Sequence, residues 1–441
     1  MPKTFHEIRD PIHVFIKMDS HERRVLDSRP FQRLRSIHQL ALTYLVYPGA
    51  SHKRFEHSLG VMELAGRVFD VLTADSASEE VKKHLPELAD PDGLRYWRKV
   101  LRMAALCHDI GHLPFSHAAE KELLPEGWDH EQMTRELILC KEMREIWENL
   151  TPPLRPEHIV KLALGPKKAA DFEFSDWEAI LSEIIIGDAF GVDRMDYLLR
   201  DSYHSGVAYG KFDHYRLIDS LRILPSPPSS EKEERSLEPT LGVDAGGLHT
   251  AEALLLARYF MFTQVYFHPV RRIYDIHLKD YLQDWLPDGR FSTDVDSHMK
   301  LTDNEVISAL RKAANDSSED GHEHARRIID RGHFKVLYER NPEDIAVNRN
   351  AAQAIFEAVK TQYGPERARM DSYKQKGGSP NFPVLTRDGR IVSSLAESQV
   401  LEKLPVAAFD YVFIDAGLRS DAEKWLLENR KKVIALKGEV E

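Results

Sequence analysis

Apolar residues recur along much of this chain at three- and four-residue steps, a spacing that places one stripe along one side of a helix. Between Phe31 and Leu40 (FQRLRSIHQL) they fall at 31, 34, 37 and 40. From Phe55 to Leu72 they continue at Leu59, Met62, Leu64, Ala65, Val68, Phe69 and Leu72. A third stripe covers Tyr96–Asp109 and stops at Gly111, a residue suited to ending a helix. Leu181–Asp201 and Ala251–Leu282 predict two more long helices, the second broken at Pro269, which cannot continue the helical ladder. Pro225–Pro239 (PSPPSSEKEERSLEP) and Asn315–His324 (NDSSEDGHEH) predict loops, and Gly377–Pro383 (GGSPNFP) a domain junction. Beyond the junction, Val384–Thr386 and Arg390–Val392 flank Asp388-Gly389, the signature of a hairpin. Tyr411–Ile414 (YVFI) predicts a strand and a helix follows from about Asp421. The expected fold is mostly α: a helical body over residues 1–375 and a small α+β C-terminal domain over 376–441.

Composition narrows the function classes. Hydrophobic residues make up 42% of the 441 positions and charged residues 30%, enough for a real core and too apolar for global disorder. The net charge of −11 speaks against a non-specific duplex binder, so nucleic acid is not an expected partner, while a local basic pocket can still hold a small anion. Two cysteines, Cys107 and Cys140, exclude a disulfide framework or a thiolate zinc motif. Cys107 follows the apolar run Met103–Leu106 and reads as a small buried hydrophobe. The N-terminal MPKTFHEIRD lacks the apolar run of a signal peptide, and no stretch approaches 18 apolar residues. The expectation is a cytoplasmic protein with no membrane partner.

The chemistry concentrates where the third stripe ends. His108-Asp109 closes a strongly apolar helix, and polar groups there need partners because an unpaired buried charge is costly. A divalent cation supplies one, and imidazole nitrogen with carboxylate oxygen suits iron, manganese, zinc or magnesium. Helices around His57 and Asp193 complete a His–His–Asp–Asp set. A lone His-Asp pair is most often a surface pair at a helix end. Here it has company, since four of the 21 histidines (His108, His112, His117, His130) fall between residues 108 and 130.

The segments FQRLRSIHQL, YPGASHKRFEHSLGVMELAG, HDIGHLPFSHAAE, DHEQ and VDRMDYLLRD together resemble the HD-domain phosphohydrolases, and within them the deoxynucleoside triphosphate triphosphohydrolase (dNTPase) branch. The resemblance runs from about residue 8 to about residue 280, and no SAM domain is recognisable. It implies an HD-domain helical body with one divalent metal ion held by His57, His108, Asp109 and Asp193, and magnesium as a companion of the nucleotide. It implies water attack in line at the α-phosphorus of a deoxynucleoside triphosphate (dNTP), releasing inorganic triphosphate and a deoxynucleoside. His112, His117, Glu120 and His130 fall on the branch's second catalytic group. Either His130 or His117 would be the general acid, with Glu120, where relatives often have Asp, orienting a histidine. Arg54 would contact phosphate, and Arg194 stands where many relatives have Lys. Tyr197 and Asp201 match residues around the sugar, while Gln39 and Leu40 match the pair near the 3′-hydroxyl and base. Some relatives carry a nucleotide effector site and assemble as oligomers. Asp27, Gln32, Arg35 and Arg216 match that site, implying an allosteric homo-oligomer, dimer or tetramer. His6, Glu7 and Thr250 depart from it. Gln264 replaces a phosphate-contacting arginine, a contact that His268, Arg271 or Arg272 could supply instead. Two other readings remain: an HD-type nucleotidase or phosphodiesterase, and a nucleotide-binding regulatory protein with minor hydrolysis, against which the intact metal quartet argues.

Overall fold

The structure, a computed structural model, describes residues 5–74, 79–116, 120–226, 238–374 and 380–435. It comprises two compact units that alternate along the chain. The first takes Met1–Met261, Phe291–Asn304 and Ser379–Leu404, and the second Phe262–Arg290, Glu305–Gly378 and Pro405–Glu441. The expected boundary near residue 376 and part of the Gly377–Pro383 junction fall outside the described residues.

The first unit is mostly helical and is built around the Arg54–Thr73 helix. Glu56 begins that helix by accepting the Lys53 N–H at 2.9 Å. Leu59, Met62, Val68 and Phe69 are almost wholly buried along it, each contributing about 1.5–3 kcal/mol of transfer free energy. Pro91–Cys107 and Val192–Ser205 pack on it, and Pro156–Lys168 packs on both Pro91–Cys107 and Asp176–Ile186. Residues 5–19 form an antiparallel hairpin, Phe5–Asp10 with Val14–Asp19. No helix among the described residues is long and apolar enough to cross a membrane.

Two of the expected helices are divided. The Phe31–Leu40 stripe folds as an Arg29–Arg33 α-helix, a Leu34–Ser36 3₁₀ turn, and then extended backbone at Ile37. A strict three-residue spacing also suits a 3₁₀ turn. Here backbone pairing decides, because Gln39 N–H donates to His52 O and Arg54 N–H to Ile37 O, each at 3.0 Å. Leu181–Asp201 is two helices, Asp176–Ile186 and Val192–Ser205, separated by a turn between Gly187 and Gly191. A Cβ on Gly191 would lie 2.7 Å from the Gly187 carbonyl oxygen, so the turn closes only with glycine there. The break at Pro269 occurs as expected: the α-helix to Met261 is followed by a π-helix over Phe262–Tyr266, and a new α-helix starts at Pro269.

Of the two expected loops, residues 227–237 lie outside the described part, and their flanks are paired strands, Leu221–Pro225 with Pro239–Asp244. The second is shorter than expected, since the next helix already begins at His322. The hairpin around Gly389 forms from Pro383–Leu385 and Ile391–Ser393, and its first strand runs parallel to Pro239–Asp244. Gly389 has φ of 82°, a conformation glycine adopts without strain. In the second unit, Ala408–Ile414 is the central strand between Lys335–Glu339 and Ala368–Lys374. Ile355, Val359, Val412, Ile414 and Leu426 form its core, and the C-terminal helix spans Arg419–Ala435.

Candidate metal centre

Three helix ends of the first unit bring the expected ligands together. His57 lies in the first turns of Arg54–Thr73, His108 and Asp109 directly follow Pro91–Cys107, and Asp193 lies in the first turn of Val192–Ser205. His57 Nε2 is 3.0 Å from Asp193 Oδ1, and His108 Nε2 is 3.5 Å from the same oxygen. Asp109 is 3.4 Å from His108 Nε2 through Oδ1 and 3.7 Å from His57 Nε2 through Oδ2. The ligand atoms of His57, His108 and Asp193 lie within 4.8 Å of one another. Asp109 groups in the same way with His112 and His130, so its carboxylate stands between the two sets.

The outer hydrogen bonds of the two imidazoles suit a cation. His57 Nδ1 is 2.9 Å from Asp196 Oδ2, and His108 Nδ1 is 2.8 Å from the Ala105 carbonyl oxygen. Both acceptors require N–H at Nδ1, so each Nε2 faces the carboxylates, where a cation would take the place of a proton. Among the described residues, His108 Nε2 is buried without a hydrogen-bond partner of its own. Two imidazole nitrogens and two carboxylates match the donor set of a divalent transition metal. Burial opposes a charge on His57, but Asp193 and Asp196 outweigh it and raise its pKa to about 10. Burial likewise opposes charge on Asp193, and His108 and His57 nevertheless hold its carboxyl well below the usual range.

A second group adjoins the first. Arg54, buried, forms an ion pair with Asp109 and donates from Nε to Ser116 Oγ at 2.7 Å. The rings of His112 and His130 stack at 3.9 Å. His130 Nδ1 is 2.6 Å from Glu120 Oε1, which also accepts the His130 backbone N–H at 2.6 Å. His112 Nε2 is 3.2 Å from Asp109 Oδ1. Burial, Arg54 and His130 hold His112 well below the usual histidine range. Burial opposes charge on His130, but Glu120 and Glu131 raise its pKa. The two stacked imidazoles are thus driven apart, His112 toward the neutral form and His130 toward the charged one. His117 lies outside the described residues. A cavity of about 530 Å³ opens on both groups and is lined by His108, Asp109, His130, Glu131 and Asp193.

The remaining expected residues divide by location. Gln39 and Asp201 meet through His52, which accepts the Gln39 N–H at its carbonyl and reaches Asp201 Oδ1 with Nε2 at 2.7 Å. Gln39 Oε1 is buried without a partner among the described residues, and Leu40 is buried nearby in sequence. Arg194 donates to the Gly187 carbonyl at 3.1 Å and approaches Tyr197. Asp27, Gln32 and Arg35 form one surface group: Asp27 accepts from Arg23 at 3.1 Å, and Gln32 accepts from Arg35 at 2.8 Å and donates to Leu26 O at 2.7 Å. Arg216 is exposed, and no described hydrogen bond or ion pair links it to them. His6 meets Arg23 at 2.9 Å, Glu7 meets Lys17 at 3.6 Å, and Thr250 donates to Gly247 O at 2.7 Å. Gln264, His268, Arg271 and Arg272 belong to the second unit, where Arg272 makes a bidentate pair with Asp371 at 2.6 and 3.1 Å. Cys107 is fully buried, and burial pushes its thiol up, as befits a core residue.

Sequence reasoning missed His13, His52 and Asp196. His52 stood inside a quoted segment, and Asp196 follows Asp193 by three residues, on the same side of the helix. Nothing in the local sequence marked His13, which reaches the site only through the fold.

These features define an HD domain. The HD domain family matches residues 54–200 and the HD associated region residues 212–362, and the chain belongs to this family. The deoxynucleoside triphosphate triphosphohydrolase SAMHD1 of Homo sapiens is 31% identical over 391 residues, 81% of this chain and 59% of that protein. An uncharacterized protein of Methanocaldococcus jannaschii is 38% identical over 272 residues, 62% of this chain and 48% of that protein. The chain thus spans about half the length of the curated relatives it matches. The crystal structure of a hypothetical protein from Aquifex aeolicus matches with a TM-score of 0.76 and 33% identity, over 96% of this chain and 100% of that one.

Proposed function

We propose that the chain hydrolyses deoxynucleoside triphosphates to deoxynucleoside and inorganic triphosphate, in nucleotide-pool control or phage defence. The observation that carries this reading is the convergence of the His57–His108–Asp193 group and the Asp109–His112–His130 group on one cavity. Similarity to proteins named as deoxynucleoside triphosphate triphosphohydrolases supports it.

His57, His108, Asp109 and Asp193 would hold one divalent cation. When bound, such a cation polarises a phosphoryl oxygen and lowers the pKa of water. Water adds to the α-phosphorus as the bond to the 5′-oxygen breaks. His130, whose pKa Glu120 raises, protonates the leaving 5′-oxygen, and the proton lost from water leaves with the triphosphate or passes to solvent. Arg54 supplies fixed positive charge against the transition state, and neutral His112 orients His130 through their stacked rings. Gln39, Leu40, Tyr197 and Asp201 would contact sugar and base, with Arg194 on the phosphates. The exposed Asp27 and Arg35 and the half-buried Gln32, together with Arg216, would take a nucleotide effector in a homo-oligomer.

Incubating metal-loaded protein with each dNTP and NTP, singly and in mixtures, and separating the products by chromatography tests the reading. Triphosphate plus deoxynucleoside is expected. Monophosphate plus pyrophosphate would overturn the bond assignment, and turnover of other nucleotides alone would favour a nucleotidase or phosphodiesterase. No turnover with any metal or mixture would favour a regulatory protein, and turnover only in mixtures would support the effector site.

A further inference from the structure

Behind His57, on the side away from the cavity, lies a buried polar network that the reaction does not use. Asp196 is fully buried and receives four hydrogen bonds. His57 Nδ1 and Arg200 Nε reach its Oδ2 at 2.9 and 2.8 Å, while His13 Nε2 and Arg200 Nη2 reach its Oδ1 at 2.7 and 2.9 Å. A carboxylate has about four lone-pair sites, so this one is saturated with donors. Arg200 is itself anchored by Asp10 Oδ2 at 2.8 Å. The other Asp10 oxygen accepts the backbone N–H groups of Ile12 and His13 at 2.9 and 2.8 Å. The carboxylate lies close against the backbone of Gly60, where a Cβ would sit 1.9 Å from Asp196 Oδ1.

We propose that Asp196 is a positioning residue for the metal centre, and that His13 ties metal affinity to the seating of the N-terminal hairpin. Because both oxygens of Asp196 are filled by fixed donors, the carboxylate cannot rotate. It therefore holds His57 in the tautomer with N–H at Nδ1 and in the ring orientation that presents Nε2 to the cation. His13 holds one of those oxygens from the turn between the two N-terminal strands, 183 residues away in sequence. Loosening the hairpin takes His13 from Oδ1 and the Asp10 anchor from Arg200, so Asp196 is held less firmly and the His57 ring can tilt. A histidine's outer hydrogen-bond partner commonly sets metal affinity by 10- to 100-fold.

This inference rests on His57 being a ligand, but not on the identity of the substrate. The full chain, stripped with a chelator, is titrated with Co²⁺, reading affinity by competition with a chromophoric chelator and geometry from the visible d–d spectrum. Asp196→Asn is expected to weaken cobalt binding about 10- to 100-fold and to shift the spectrum, with the helical circular dichroism retained. His13→Ala is expected to shift both in the same direction, and His13→Gln, which keeps a donor, to restore most of the loss. If Asp196→Asn does not fold, the His13 pair decides. Wild-type affinity and spectrum in His13→Ala, or equal losses in His13→Ala and His13→Gln, would overturn the proposal while leaving the metal centre intact. Cobalt binding undiminished in His57→Ala would overturn the ligand assignment, and this inference with it.

Discussion

Replacing Arg200 with methionine removes the cation beneath the metal centre while keeping most of the side-chain volume. Arg200 is fully buried and contacts Asp196 through two nitrogens and Asp10 through a third. The variant leaves two buried carboxylates without the guanidinium they share. Breaking a buried ion pair by removing one partner costs about 3–5 kcal/mol. In a domain of about 150–250 residues, where each kcal/mol moves the Tm by about 2–4 °C, this corresponds to a fall of about 6–20 °C. The loss should depend on pH. Burial opposes charge on Asp196, but Arg200, His13 and His57 together hold its pKa well below the usual carboxylate range. A depressed carboxylate contributes stability that is present above its unfolded pKa near 3.9 and is lost as pH falls through that value toward the folded one. In the variant, burial is no longer offset by the guanidinium, so Asp196 takes up a proton more readily and part of the loss is regained at acid pH. The gap between wild type and Arg200→Met should therefore be widest at pH 7–8 and narrower near pH 5. Urea unfolding of the metal-free chain followed by circular dichroism at both pH values measures it. A loss below about 1 kcal/mol at pH 7.5, or one that grows as the pH falls, would refute the reasoning.

Three further outcomes are expected. Asp109→Ala should abolish metal uptake and turnover while the helical signal persists, and retained activity in a metal-content and product assay would reject its role. Glu120→Gln removes the carboxylate that raises His130, so the alkaline limb of the pH–rate profile should move to lower pH; an unmoved limb would mean His130 is not the proton donor. His57 titrates at about 10 in the metal-free chain, its burial outweighed by Asp193 and Asp196, so a cation must displace a proton there. Apparent metal affinity should rise between pH 6 and 9 with proton release, and calorimetry in buffers of different ionisation enthalpy reads this directly.

Much of the candidate metal centre was legible before any coordinates. An apolar stripe ending in His108-Asp109 is a local pattern, and the motif-bearing segments around His57 and Asp193 are local too. The same holds for the Arg54–Thr73 helix, the Pro269 break and the Gly389 hairpin, each decided by neighbours a few residues away. The division of the other two helices was less legible. The 31–40 stripe satisfied a helical spacing, yet the backbone of Ile37–Gln39 paired with residues 52–54, and distant partners override local propensity. The 181–201 stripe contained two glycines whose close approach only the folded turn reveals.

By itself the sequence determined which residue types were available to bind a cation and which helices would carry them, because those facts depend on spacing within single elements. Only the tertiary structure decided that Asp109 stands between two groups, that His112 and His130 stack and titrate apart, and that His13 reaches Asp196 from 183 residues away. Those relations depend on burial and on which charges the fold brings within a few ångströms. The strength of such interactions varies with distance and local dielectric, and neither is written in the order of residues along the chain.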